Sequence, residues 1–198
     1  LLTAGNIEGI SDILIITGDP VLQIDRVDDK GVFSFNSYDL MSFLSSLNDD
    51  SFYSSPYKIY GALNVNSPNF ENELARAKRK INCGAKILLT QPIFSEKNLE
   101  NYFLAKKELP CKIYAGILPI ASYKNALFLN NEVSGIEIPE EVIKSLENKT
   151  SNEVKDISVS FSKSIINRIK DNCDGYYIMT PLKKIDFVEN LIKYIKNL

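Results

Sequence analysis

Five short apolar runs punctuate the chain, at residues 13–16, 58–63, 87–90, 113–117 and 176–179. Within each, apolar residues follow one another without alternation, the pattern of parallel strands covered on both faces. Between the runs, apolar positions recur at helical spacing. Leu40, Phe43, Leu44 and Leu47 share one face of a segment that starts at Ser37. Phe70, Leu74, Ala77 and Ile81 share a face over 69–83, and Gly84 follows as a stop signal. Ser95 is a natural N-cap for a helix through Lys106, with Asn98 where a capping box places its reciprocal partner. Further helical patterns cover 122–129, 139–146 with Pro139 at the first turn, 151–171 and 185–195. The opening residues read as the end of a helix.

Strand alternating with helix predicts a single α/β domain over residues 1–198 with a parallel sheet, either an open doubly wound sheet or a barrel. Both architectures gather function at the carboxyl ends of the strands. Those ends are polar: Thr17-Gly18-Asp19-Pro20, Asn64-Val65-Asn66, Thr90-Gln91-Pro92, Leu118-Pro119 and Thr180-Pro181-Leu182-Lys183. The segment 20–36 is the longest connection after a strand, is rich in Asp, and is expected to form a solvated rim of the site.

Composition narrows the chemistry. The net charge of −2 argues against nucleic acid as a partner, because phosphate binding needs a basic surface. No apolar run is long enough to cross a bilayer, and no leader pattern opens the chain, so a cytoplasmic location is expected. Cys83, Cys111 and Cys173 are too few and too scattered for a disulfide frame or a zinc site, and read as reduced thiols. There is no histidine, which removes Ser-His-Asp and Cys-His hydrolysis and most histidine metal sites. Chemistry must rest on carboxylates, amides, Lys, Arg, Tyr or a bound cofactor.

Four constellations stand out, each with a plainer reading beside it. Asp19 can accept hydrogen bonds from a heterocycle, or cap its own turn. Gln91 offers donor and acceptor to an amide-like ring edge, or is a polar turn residue. Glu73, Arg76 and Lys80 fall on one helix face with Arg79 beside them, where they can meet a diphosphate or form an ordinary solvated face. Tyr123 opens a helix after the Pro119 turn, where it can stack on a planar ligand or pack locally. No Gly-x-Gly-x-x-Gly or Walker loop is present, which disfavours the common nucleotide folds.

These motifs, in this order, resemble the methylenetetrahydrofolate reductase family. The resemblance rests on Ile15-Ile16-Thr17-Gly18-Asp19-Pro20, Ser37-Tyr38-Asp39-Leu40, Gly61-Ala62-Leu63-Asn64-Val65-Asn66, the run from Glu73 to Ala85, Thr90-Gln91-Pro92, and Gly116-Ile117-Leu118-Pro119-Ile120-Ala121-Ser122-Tyr123-Lys124-Asn125-Ala126. It implies a (β/α)8 TIM barrel, here a partial barrel covering about strands 4 to 8, since a complete one takes about 250 residues. It implies an enzyme that uses FAD, recharged by a reduced nicotinamide or another electron donor, to reduce methylenetetrahydrofolate to methyltetrahydrofolate for methionine synthesis.

By the same resemblance Asp19 is the catalytic carboxylate beside flavin and folate. Thr17, Gly18, Ser37, Asn64, Glu73, Arg76, Arg79 and Lys80 fall at FAD-binding positions. Gln91, Tyr123 and Lys183 fall at folate-binding positions, with Lys183 at the place of an Arg for the glutamate tail. Thr17 stands where other members carry Arg, and Asn64 where some carry Tyr. The stretch 130–136 resembles the form fused behind a homocysteine methyltransferase domain. The family's first strands, with a Glu proposed as general acid, have no counterpart here. The chain is therefore expected to be a fragment or half of a split enzyme, inactive alone, partnered by an N-terminal half-barrel or a fused methyltransferase domain, and homo-oligomeric when complete. A non-catalytic α/β remnant that keeps the fold as an interaction module is the competing reading.

Overall fold

The computed structural model describes residues 1–17, 36–133 and 135–198. Five parallel strands pair in sequence order: β1 (Asp12–Leu14), β2 (Lys58–Leu63), β3 (Ile87–Pro92), β4 (Lys112–Ile117) and β5 (Gly175–Ile178). Eight α-helices accompany them among the described residues: α1 (Leu2–Ile7), α2 (Ser37–Asp49), α3 (Phe70–Asn82), α4 (Glu96–Glu108), α5 (Tyr123–Glu132), α6 (Glu140–Ser145), α7 (Ser151–Ile169) and α8 (Ile185–Ile195). The chain forms a five-stranded parallel half-barrel with helices on one side. None of the described helices is long and apolar enough to cross a membrane.

Local sequence explains five of the eight α-helix starts, where an N-cap side chain accepts a backbone N–H. Asn36 starts α2 by accepting the N–H groups of Tyr38 and Asp39, each at 3.0 Å. Ser95 and Asn98 form the expected capping box at α4, so a shorter amide does the work usually given to Glu or Gln. Thr150 and Glu153 form a second box at α7. Gly84 takes the left-handed conformation after α3, with φ of 110°. The largest shifts from the expected strand ends are at β1, which ends at Leu14, and at β3, which continues through Gln91 to Pro92.

The sheet faces are unequal, which corrects the expectation of cover on both sides. Ile59, Leu63, Leu88, Ile113, Ala115 and Ile117 are buried under helical residues such as Met41, Leu44, Ala77, Tyr102, Ile166 and Leu191. The opposite face carries Leu14 and Tyr177 at 41% and 39% exposure, with Ile16 beyond β1 at 60%. On that face the rings of Tyr60 and Tyr114 meet edge to face with centroids 6.2 Å apart, and the Tyr60 hydroxyl donates to Asp12 at 2.7 Å. Burial and the Asp12 carboxylate push the Tyr60 hydroxyl up to about 12. A continuous apolar strand is the pattern of the inside of a barrel as well as of a covered sheet, and five strands leave that inside open.

A second core lies under the connection from β4 to β5, where Phe94, Ile120, Ala126, Ile143, Leu146 and Val154 pack together. It carries the start of α5, and with it Tyr123, at the carboxyl end of β4.

Candidate active site

The carboxyl ends of the strands bring most of the singled-out residues to one rim. At the end of β1 the Thr17 hydroxyl donates to the Ser37 hydroxyl at 3.1 Å, joining the strand to the first turn of α2. Gly18 and Asp19 lie outside the described residues, as does most of the 20–36 segment.

Next along the sheet, Glu73 is 5% exposed, and so does not lie on a solvated helix face. Its Oε1 accepts the N–H of Asn64 at 3.1 Å, and Oδ1 of Asn64 accepts the N–H of Asn66 at 3.0 Å. Lys80 turns inward from the same helix: its Nζ donates to the Ala62 carbonyl at 2.5 Å and lies 3.9 Å from Glu73. Burial lowers the Lys80 pKa, with Glu73 pulling the other way. Arg76 is 3.7 Å from Glu73 but keeps two-thirds of its side chain exposed. Arg79 stands apart from this group, over the Tyr38 ring at 4.3 Å from its centroid. The expected four-residue charge cluster is therefore a buried Glu–Lys pair with one exposed Arg, and Arg79 is not part of it.

At the end of β3, Gln91 is exposed between buried Thr90 and Pro92. Asn66 reaches across from the end of β2, with Nδ2 donating to the Pro92 carbonyl at 3.3 Å. Its Oδ1 is buried and has no hydrogen-bond partner among the described residues. Asn66 and Thr90 are site residues that the sequence reading did not single out. The signal for Asn66 was its spacing of two from Asn64, which puts both at one strand end.

Tyr123 opens α5 after its N-cap Ser122, which accepts the Asn125 N–H at 3.0 Å. The Tyr123 side chain lines an open cavity of about 450 Å³ together with Lys124, Leu146, Lys149, Leu182 and Lys184. Lys183 follows β5 on an exposed turn in the left-handed region, with φ of 64°, directly beside two of those lining residues. Thr17, Ser37, Asn64, Gln91, Tyr123 and Lys183 thus follow one another along the carboxyl ends of β1 to β5, in the order of the chain.

A family model described as methylenetetrahydrofolate reductase matches residues 2–196. The chain belongs to the methylenetetrahydrofolate reductase family. It is 28% identical over 157 residues to "Methylenetetrahydrofolate reductase (NADH) 1" of Zea mays, a match that covers 73% of this chain and 26% of that protein. It is 27% identical over 164 residues to "Probable methylenetetrahydrofolate reductase (NADH)" of Oryza sativa subsp. japonica, covering 77% and 27%. The chain spans about a quarter of the length of these curated relatives. Family membership accounts for the ordered polar motifs at successive strand ends, which the α/β rhythm alone leaves unexplained.

Proposed function

We propose that the protein carrying this chain reduces methylenetetrahydrofolate to methyltetrahydrofolate with FAD as resident cofactor and NADH as electron donor. The observation that carries this reading is the family match over residues 2–196 together with polar side chains at consecutive parallel strand ends. NADH is taken from the names of the two relatives. In this reading β1 to β5 are about strands 4 to 8 of an eight-stranded barrel, and the open sheet face is the barrel interior. The protein acts in the cytoplasm, takes folate as its substrate, and assembles as a homo-oligomer with an N-terminal half-barrel or a fused methyltransferase domain.

The strand-end residues fit a flavin in part. The Thr17 and Ser37 hydroxyls and the Asn64 amide offer hydrogen bonds, and the exposed Arg76 guanidinium suits a diphosphate. The Oδ1 of Asn66, without a partner among the described residues, is an acceptor suited to a ribityl hydroxyl or ring N–H. Glu73 and Lys80 fit less well as direct contacts, since both are turned into the fold; they hold the β2 end that carries Asn64. The chemistry that bound FAD supplies is hydride delivery to the methylene carbon. Gln91 holds the amide-like edge of the pterin, Tyr123 stacks on its plane or on the nicotinamide, and Lys183 meets the carboxylates of the glutamate tail. Asp19, four residues after Ile15, supplies the negative charge that favours the cationic form of the substrate.

The test is the full-length protein, purified and supplied with FAD. Visible flavin absorbance and NADH oxidation that depends on methylenetetrahydrofolate are expected. A colourless preparation with no folate-dependent NADH oxidation overturns the reading.

A further inference from the structure

Gln91 sits at an irregularity of the sheet. The β3–β4 ladder runs in register to Leu89 opposite Tyr114, then resumes with Pro92 opposite Gly116. Two residues, Thr90 and Gln91, therefore stand against one, Ala115. Such a bulge interrupts the ladder and re-aims a side chain, and bulges favour the rims of barrels and active sites. Here the Gly116 N–H donates to Oγ1 of Thr90 at 2.7 Å, and the same hydroxyl donates to the Gln91 carbonyl at 2.8 Å. Thr90 is 2% exposed, so the hydroxyl and the N–H it serves have no water to replace each other with.

The neighbours hold the same geometry. A Cβ on Gly116 would stand 2.5 Å from the Thr90 carbonyl oxygen and 2.8 Å from that of Gln91, so only glycine lets the bulged backbone lie this close. On the other side Asn66 ties down the Pro92 carbonyl. The residues on either side of Gln91 are held from the two neighbouring strands, Thr90 by Gly116 and Pro92 by Asn66, while Gln91 itself is exposed.

We propose that Thr90 is a positioning residue for Gln91: its hydroxyl staples the bulge and so sets where the Gln91 carboxamide is presented to the substrate. This rests on the reading of Gln91 as the contact to the folate ring edge. Valine keeps the shape of threonine but offers no acceptor to the Gly116 N–H. The bulge is then free to move toward regular pairing, and a shift of one residue turns a strand side chain to the opposite face. Serine keeps the hydroxyl and with it the staple.

The experiment is a double-mutant cycle in the full-length protein with Thr90→Val, Gln91→Ala and both together, with Thr90→Ser as the conservative control. The KM for methylenetetrahydrofolate, kcat, flavin content and thermal midpoint are measured for each. Thr90→Val is expected to raise KM about tenfold, the size of one lost hydrogen bond, with flavin content kept. Thr90→Ser is expected within about twofold of the parent, and the double variant no worse than Gln91→Ala alone. Should Thr90→Val not accumulate folded, Thr90→Ala removes the hydroxyl without adding volume and takes its place in the cycle. A Gln91→Ala variant with unchanged KM overturns the folate reading of Gln91 and this inference with it. An impaired Gln91→Ala with an additive loss in the double variant overturns the role of Thr90 alone.

Discussion

The carboxylate of Glu73, in the first turn of α3, accepts the backbone N–H of Asn64 just past the end of β2, at 3.1 Å. One helix side chain thereby fixes the place where a strand stops and a site begins. The same carboxylate faces Lys80 and Arg76, so its charge is matched within the fold. Glu73→Ala leaves Lys80 without its counter-charge and Asn64 without its acceptor. Stability should fall by about 3 kcal/mol, measured by urea unfolding. A loss near zero would mean that water replaces the carboxylate at no cost.

Lys80 sets a pH dependence of its own. Burial lowers its native pKa, so in the window between that value and the ordinary lysine value the unfolded chain binds more protons than the folded one. Stability then rises with pH across that alkaline window, and below it the buried charge is a cost. Lys80→Met should flatten this part of the stability curve relative to the parent protein. Parallel alkaline limbs for the two proteins would refute it.

Asp174 gives the same sign in the acid range, but as a contribution to stability and not a cost. Burial raises its carboxyl pKa, but the hydrogen bond from Lys106 and that from the Ile113 N–H, at 2.7 Å, outweigh burial and leave it lowered. Its contribution is present above the ordinary Asp pKa and is lost as pH falls through the lower native value. Asp174→Asn should cost about 1.5 kcal/mol at neutral pH and soften the acid limb of unfolding. An unchanged acid limb would exclude this role.

Gly116→Ala tests the close approach of β3 and β4. The added methyl would meet backbone, which has no rotamer to yield, and a loss of roughly 2–3 kcal/mol in thermal or chemical unfolding is expected. Unaltered stability would show that the bulge adjusts freely.

The open sheet face has a consequence for residues 1–198 produced alone. Exposed Leu14, Ile16 and Tyr177, with β1 and β5 at the sheet edges among the described residues, present apolar surface and strand edges. Concentration-dependent self-association in gel filtration is expected, with binding of an apolar dye. A monodisperse monomer that ignores the dye would count against a surface that needs covering.

How much of this was legible beforehand differs by residue. Period and capping chemistry marked the strands and helices, because side-chain spacing and N-cap preference are local properties; Ser95 with Asn98 is an example. The same locality placed Gln91 and Tyr123 at strand ends. It could not tell a sheet covered on both faces from the inside of an open half-barrel, since both ask for continuous apolar strands. Nor could it sort Glu73 and Lys80 from Arg76 and Arg79. All four are charged and close in sequence, and only the packing of α3 against β2 decides which carboxylate is buried and which guanidinium meets solvent. The staple of Thr90 on the Gly116 N–H was out of reach for the same reason. Its partners are 26 residues apart, and the bulge that joins them exists only where two strands pair.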